Sequence, residues 1–326
     1  MKKKILELLQ NCPDFISGQE LSERFGVSRT AVWKVIRQLE AEGYVIQAVR
    51  NKGYRLTAQP DLLTEETIQN QIHTEWAGQQ LVVFSETDST NDQAKKLAEE
   101  GAGQGLLVVS DSQTAGKGRR GRSWESRVGE GIFMTLLLKP DIAPGNASML
   151  TLVMALAVRA GIRQVTGIDT QIKWPNDIYW KDKKICGMLI ENDLMGRNIS
   201  QSIAGVGINI NQEVFHSSAP NPVSLFQITG KQYDIFNILE HIMLRIQIYY
   251  DLLQKNNTAL ITAQYERSLF RKEGMYRYKD VNGEFMANIV CVEPEGRLIL
   301  EDETQTKRGY MLSLIHISEP TRQEAI

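Results

Sequence analysis

Between residues 113 and 122 the chain reads Gln113-Thr114-Ala115-Gly116-Lys117-Gly118-Arg119-Arg120-Gly121-Arg122, three glycines alternating with four cations. Glycine lets backbone N–H groups turn inward without a Cβ clash, and Lys and Arg supply charge-assisted donors, so such a loop can wrap a phosphate or carboxylate. It is not a Walker A loop, because no Ser or Thr follows Gly116-Lys117. Composition alone also admits a basic surface loop. A second segment, Lys173-Trp174-Pro175-Asn176-Asp177, places an ammonium at the end of a strand with a carboxylate close behind it. Taken alone it equally fits a strand-to-turn transition with Lys173 in water. Paired with the basic loop, it matches a recurring way of gripping a transferring phosphoryl group, a lysine point charge beside guanidinium groups.

Two further segments carry weaker signals. Asp88-Ser89-Thr90-Asn91 follows a strand and opens a helix, so a helix cap is expected there, which does not exclude ligand binding by the same turn. Ala204-Gly205-Val206-Gly207-Ile208-Asn209 is a glycine-bearing strand, suited either to close sheet packing or to a flat group lying on the backbone. His73, His216, His241 and His316 show no metal-ligand spacing and lie outside these motifs. No zinc site or imidazole triad is indicated, and no resident metal is expected. Cys12, Cys186 and Cys291 form neither a disulfide framework nor a C-x-x-C pair and read as buried free thiols of a cytoplasmic protein.

The elements that must position these residues mix strand and helix. Leu81–Ser85, Leu106–Ser110, Ile132–Leu138, Gln171–Trp174, Ile185–Glu191 and Ser202–Asn209 look extended, while Asn91–Glu100, Ser148–Val165 and Asp234–Leu253 carry helical periodicity. This is an α+β pattern. From about Gly274, short alternating strands suggest a small antiparallel barrel. The longest nearly apolar run, Met149–Val158, falls short of the roughly 20 residues a membrane span needs, so none is expected.

Charge is uneven. The whole chain has 37 Lys+Arg against 39 Asp+Glu, but residues 1–57 hold ten basic and six acidic groups. There, a helix over Lys2–Gln10 is followed by a short one over Gln19–Phe25 stopping at Gly26, then by one capped by Ser28 and running to Glu42, with Gly43 as its stop. Tyr44–Val49 and Tyr54–Leu56 read as strands joined by Arg50-Asn51-Lys52-Gly53, a wing behind a helix-turn-helix. In the third helix Val32, Val35, Ile36 and Leu39 share one face, and Arg29, Thr30, Trp33, Lys34 and Arg37 the other. The second face has the chemistry that reaches bases and phosphates, so Ser28, Arg29, Thr30, Trp33, Lys34, Arg37, Arg50 and Lys52 are the expected DNA contacts. Gln59-Pro60-Asp61 marks the boundary.

In order and spacing, this helix-turn-helix, Asp88–Asn91, the Gln113–Arg122 loop, Lys173–Asp177 and the glycine strand resemble the bacterial bifunctional biotin protein ligases, the biotin operon repressors, over nearly the whole chain. The resemblance implies a winged helix-turn-helix at 1–60, a mixed-sheet α+β ligase domain at 61–270 and an SH3-like small β-barrel at 271–326. It implies that biotin's carboxylate attacks the α-phosphate of Mg-ATP, and that a lysine of a biotin carboxyl carrier protein then takes the biotinyl group. Ser89, Thr90, Asn91 and Gln113 would meet the biotin ring; Gly116, Lys117, Gly118 and Arg119, with Arg120 and Arg122, would fold over carboxylate and phosphate. Lys173 and Arg119 would be catalytic. Trp124, Gly205, Gly207 and Asn209 would line or back the pocket, and Asp177 would help hold metal or orient Lys173. A ligand-promoted homodimer on operator DNA is implied too. The alternatives are a winged-helix sensor without turnover and a lipoate-type acyl-adenylating ligase.

Two positions depart from the family pattern. Lys117 stands where many relatives carry Arg, which keeps charge but loses the bidentate fork and bears on adenylate retention. Leu312–Arg322 resembles a translated sequencing-library adapter, so the tail from about 312 is expected to be non-native and to leave an open edge on the small barrel.

Overall fold

The computed structural model describes all residues except 42–43, 51, 59–62, 126, 197, 218, 312–315 and 318–326. Gly43, Asn51, the 59–61 boundary and most of the adapter-like tail therefore lie outside the described residues. The chain divides into two compact units, Met1–Leu63 and Thr64–Ile326.

In the first unit, α1 (Lys2–Asn11), α2 (Gly18–Phe25) and α3 (Arg29–Ala41) precede the hairpin of β1 (Val45–Val49) and β2 (Gly53–Ala58). α2 starts where Ser17 Oγ accepts the Glu20 N–H at 3.0 Å and ends where Gly26 adopts φ +63°. Ser28 Oγ accepts the Ala31 N–H at 3.2 Å, the expected cap of α3. Val32, Val35, Ile36 and Leu39 are buried with Ile5, Leu9 and Leu21, as the periodicity predicts. Burying each such side chain contributes about 1.5–3 kcal/mol, enough to dock three short helices that would not hold alone. Gly53 is required for more than its turn: at φ +112° an added Cβ would stand 2.0 Å from the Ile16 carbonyl oxygen. That closeness lets Ile16 and Tyr54 exchange two backbone hydrogen bonds of 2.9 Å, fastening the wing to the segment before α2.

The second unit begins with α4 (Glu65–Gln69), β3 (Gln80–Phe84), α5 (Thr90–Glu99), β4 (Leu106–Ser110) and β5 (Gly131–Leu138). It continues with α6 (Ser148–Thr166), β6 (Gln171–Lys173), β7 (Asp177–Trp180), β8 (Lys183–Met195), β9 (Asn198–Asn209), α7 (Leu225–Thr229), α8 (Ile235–Gln254) and α9 (Thr258–Arg267). Seven strands form one sheet in the order β3-β4-β5-β9-β8-β7-β6, mixed because β3 and β4 are parallel and the other pairs antiparallel. The extended segment expected at 171–174 is one arm of a hairpin, β6–β7, whose turn carries Trp174 to Asn176. The membrane expectation needs correction on length. Pro144–Thr166 is 23 residues and apolar enough to cross a bilayer, Thr151 and Arg159 notwithstanding. Its apolarity is used inside the protein: Met149, Leu150, Leu152 to Val158 and Ile162 are buried as α6 packs on α8 and the sheet.

In the same unit, β10 (Tyr276–Asp280), β11 (Gly283–Val292), β12 (Leu298–Asp302), β13 (Lys307–Tyr310) and β14 (His316–Ile317) make an antiparallel sheet ordered β13-β12-β11-β10-β14. The edge expected to be open is paired at two positions, where Ile317 and His316 lie opposite Tyr278 and Lys279.

Candidate active site

The floor of the site is built from glycines. A Cβ on Gly205 of β9 would stand 2.0 Å from Asn91 Oδ1, and one on Gly207 2.5 Å from the Trp124 ring. One on Gly187 of β8 would stand 2.9 Å from the same ring. Asn91 and the Trp124 indole therefore lie directly on the strand backbone, as flat groups can where side chains are missing. Asn91 is 5% exposed and fully engaged. Its Oδ1 accepts from the Thr135 hydroxyl at 2.7 Å, and its Nδ2 donates to Glu191 at 2.9 Å and to the Leu189 carbonyl at 3.3 Å.

The start of α5 corrects one expectation. Ser89 makes no side-chain cap; instead Asp88 Oδ1 accepts the Ser89 N–H at 2.7 Å and Gln93 Nε2 at 2.9 Å. Those bonds, led by the one from Gln93, hold the Asp88 carboxyl below its ordinary pKa. The Thr90 N–H, an orphan donor of the first turn, goes to Gln113 Oε1 at 2.8 Å, a residue 23 positions away at the foot of the basic loop.

That loop is a strap folded on itself. The Thr114 and Ala115 N–H groups donate to the Thr87 and Asp88 carbonyls, both at 2.9 Å. Gly118 N–H donates to Arg122 O at 2.7 Å and Trp124 N–H to Gly116 O at 2.8 Å. Gly116 serves this packing and does not border the cleft, since its Cβ would stand 2.9 Å from the Trp124 carbonyl. Lys117 Nζ lies 2.6 Å from Asp92 Oδ1, a hydrogen bond that raises the ammonium above its ordinary pKa. Arg119 Nη1 donates to Asn176 Oδ1 at 3.3 Å, joining the strap to the β6–β7 turn.

Lys173 closes β6. Its ammonium donates to Tyr179 Oη at 3.1 Å and lies 4.4 Å from the centre of that ring. Asn176 is itself fixed to β8, its Nδ2 donating to the Met188 carbonyl and its own carbonyl accepting the Met188 N–H at 3.0 Å. Asp177 lies 2.8 Å from Lys184 Nζ.

These parts enclose one cleft of about 1050 Å³. Ser89, Thr90, Asn91, Gln113, Lys117, Gly118, Arg119, Arg122, Trp124, Lys173, Asp177, Gly205, Gly207 and Asn209 all line it. Arg120 lies in the short turn Arg119–Gly121, and its side chain is outside the described residues. Asn209 backs the cleft, its Nδ2 reaching the Val223 and Lys184 carbonyls at 3.3 and 3.4 Å. Among the described residues no group of three or more His, Cys, Asp or Glu side chains is placed to hold an ion.

Sequence reasoning missed three features. Lys184 brings another cation, 5.4 Å from the centre of the Trp124 ring. Phe215, Ser217, Pro220 and Pro222 add a wall from a segment without periodicity. Glu125 ties that wall to the strap, accepting the His216 and Ser217 N–H groups at 3.0 and 2.8 Å. Burial pushes the Glu125 carboxyl up, but bonds from Ser217 and the two amides, with Arg127, outweigh it and leave it below its ordinary value. The tie is therefore at full strength above the ordinary glutamate pKa and is lost as pH falls through the lowered one. Hydrogen exchange should show 216–217 amide protection at neutral pH that fades only in acid and is absent in Glu125→Ala. Protection unchanged in that variant would show another anchor.

On the first unit, Arg29, Thr30, Trp33, Lys34 and Arg37 occupy the exposed face of α3, with Trp33 48% exposed. Arg29 Nε donates to Gln19 Oε1 at 2.8 Å, and Arg37 lies 3.0 Å from Glu40. Arg50 and Lys52 are exposed at the wing turn, while the Ser28 hydroxyl is committed to its cap.

A helix-turn-helix unit preceding a mixed-sheet unit whose cleft pairs a glycine floor with a cationic strap defines a ligase joined to a DNA-binding module. Sequence profiles agree, one described as the Biotin/lipoate A/B protein ligase family over residues 83–209 and one as an HTH domain over 2–55. The chain belongs to the bifunctional ligase/repressor family: it is 38% identical to the bifunctional ligase/repressor BirA of Bacillus subtilis over 95% of this chain and 97% of that protein. The Escherichia coli protein of the same name is 32% identical over 67% of this chain and 66% of its own length. Among solved structures, the biotin protein ligase of Aquifex aeolicus in complex with biotin and ATP is similar with a TM-score of 0.61 and 26% identity, covering 73% of this chain and 97% of that one.

Proposed function

We propose that the second unit joins biotin to ATP and passes the biotinyl group to a lysine of a biotin carboxyl carrier protein, and that the first unit binds operator DNA. The observation that carries the reading is the meeting of Arg119, Lys173 and the glycine floor in one cleft. A carboxylate approaching a triphosphate is slowed chiefly by charge repulsion, so the site must supply fixed cations and alignment rather than a nucleophile of its own. One carboxylate oxygen of biotin bonds to the α-phosphorus as pyrophosphate leaves; the acceptor amine then bonds to the acyl carbon as AMP leaves, with the amine's proton going to solvent.

Ser89, Thr90, Asn91 and Gln113 would surround the biotin ring, pre-oriented by the Thr135 and Glu191 bonds. Lys117, Gly118, Arg119, Arg120 and Arg122 would cover carboxylate and phosphate, Lys117 exchanging Asp92 for the ligand. Lys173 would carry the charge developing at phosphorus, with Lys184 lining the same cleft. The Trp124 indole nitrogen is buried without a hydrogen-bond partner, an atom a bound ligand could satisfy. Magnesium is read as travelling with the triphosphate, since Mg2+ ordinarily keeps phosphate and water ligands.

We assign DNA contacts to residues 1–60, the chemistry to 61–270 and support to 271–326, place the protein in the cytoplasm, and propose a homodimer promoted by the adenylate that sets two winged helices on two half-sites. Incubation with biotin, Mg-ATP and a carrier domain tests the enzyme: labelled carrier supports it, binding without turnover leaves a sensor, and preference for lipoate redirects the substrate. For DNA, Lys34→Ala should weaken operator binding, reduce the salt slope by about one and leave ligation unchanged. A gel shift across salt concentrations checks this, and equal loss of both activities would contradict the division of labour.

A further inference from the structure

We propose that Trp174 is a positioning residue for Lys173, held in place by the turn between β11 and β12 of the C-terminal sheet; this rests on the reading of the cleft as an adenylate-forming site. Trp174 directly follows Lys173 and is 6% exposed. Its Nε1–H donates to the Gly296 carbonyl at 3.1 Å, across 122 positions of sequence. The turn that presents this carbonyl is closed by two backbone bonds, Gly296 N–H to Glu293 O at 2.8 Å and Glu293 N–H to Arg297 O at 2.9 Å.

The turn is held from three sides. Gly296 takes φ +87°, and a Cβ there would stand 2.7 Å from Ser148 Cβ at the start of α6, so only glycine fits. The Ser148 hydroxyl donates to the Pro294 carbonyl. Behind the turn, Val292 N–H donates to Glu266 Oε1 at 3.1 Å, and Lys272 Nζ to the Ile289 and Val290 carbonyls at 3.1 and 2.7 Å. An indole gripped this way leaves β6 little freedom to move its last residue. Trp174 borders the same cleft, but the groups assigned to the biotin ring sit on α5, β9 and the strap, so loss of the Gly296 contact should act first on where the Lys173 ammonium stands.

A displacement near 1 Å can cost about a hundredfold in rate, and loss of one hydrogen bond permits a fraction of that. Trp174→Phe keeps a buried aromatic ring but removes the indole donor together with part of the bicycle. It should lower the single-turnover rate of adenylate formation about tenfold while biotin and ATP affinities stay within about threefold. Because Trp174 acts through Lys173, the same change should cost nothing further in a Lys173→Ala background. Ser148→Ala, which frees the turn without touching Trp174, should give a smaller loss that likewise vanishes in that background, and it serves as the probe if Trp174→Phe does not fold.

Three results would overturn the proposal: an unchanged rate in both variants, a loss in affinity matching the loss in rate, or a full additional loss without Lys173. Failure of the unaltered chain to make any biotin-dependent adenylate would instead remove the underlying assignment.

Discussion

Lys173→Ala is expected to slow biotinyl-adenylate synthesis by about 10²–10³-fold, the range for removing one preorganised group that stabilises transition-state charge. The ammonium is set by the end of β6, by Tyr179 Oη at 3.1 Å and by the ring of the same residue at 4.4 Å. Little reorganisation is then needed when negative charge builds at phosphorus. The side chain is only partly buried and serves no packing core, so thermal unfolding should change little. Biotin affinity should also persist, because the groups lining Asn91 and Gln113 are untouched. Single-turnover pyrophosphate release measures the rate, and a change of less than about threefold would take Lys173 off the catalytic list. Lys173→Arg should recover part of the rate, since the charge survives but is spread over a longer planar fork instead of concentrated at the point the ammonium occupies.

Gly205→Ala should damage binding and stability together. The new methyl would stand 2.0 Å from Asn91 Oδ1, and the amide has no slack, because Thr135, Glu191 and Leu189 already fix both of its ends. Overpacking of this kind costs about 1–3 kcal/mol, and a displaced Asn91 would leave buried polar groups unpaired. Denaturant midpoints should fall accordingly, and biotin affinity should drop about tenfold or more. Gly145→Ala is the matched control: nothing lies within 4 Å of its Cβ, so stability should hold within about 0.5 kcal/mol. If Gly205→Ala bound biotin normally, the glycine floor would not be what shapes the pocket.

Much of this arrangement is legible locally. The two faces of α3 follow from a 3.6-residue period, the Ser28 cap from its position before an apolar run, and the strap from glycines alternating with cations. What escaped reading is contact between distant positions. Gln113, not Ser89, receives the first amide of α5, and no local pattern links residues 23 apart. Lys184 follows another lysine at a strand start and looks like a solvated charge, yet register places it beside Asp177 and Trp124. Glu125 looks like a surface acid and instead holds two backbone amides of a segment about 90 positions on. The helical period places α6 to within one residue, but the apolar run Met149–Val158 understates its apolar length, which packing on α8 carries on to Ile162.

The central claim is that strap and strand act on one reacting centre. A double-variant cycle with Arg119→Ala and Lys173→Ala, read as single-turnover adenylate formation, tests it most directly. Groups working as a unit are strongly non-additive, so the double variant should be no more than about threefold slower than the worse single one. Losses that simply multiply would mean that the two cations serve separate events, and the shared-centre account would be wrong.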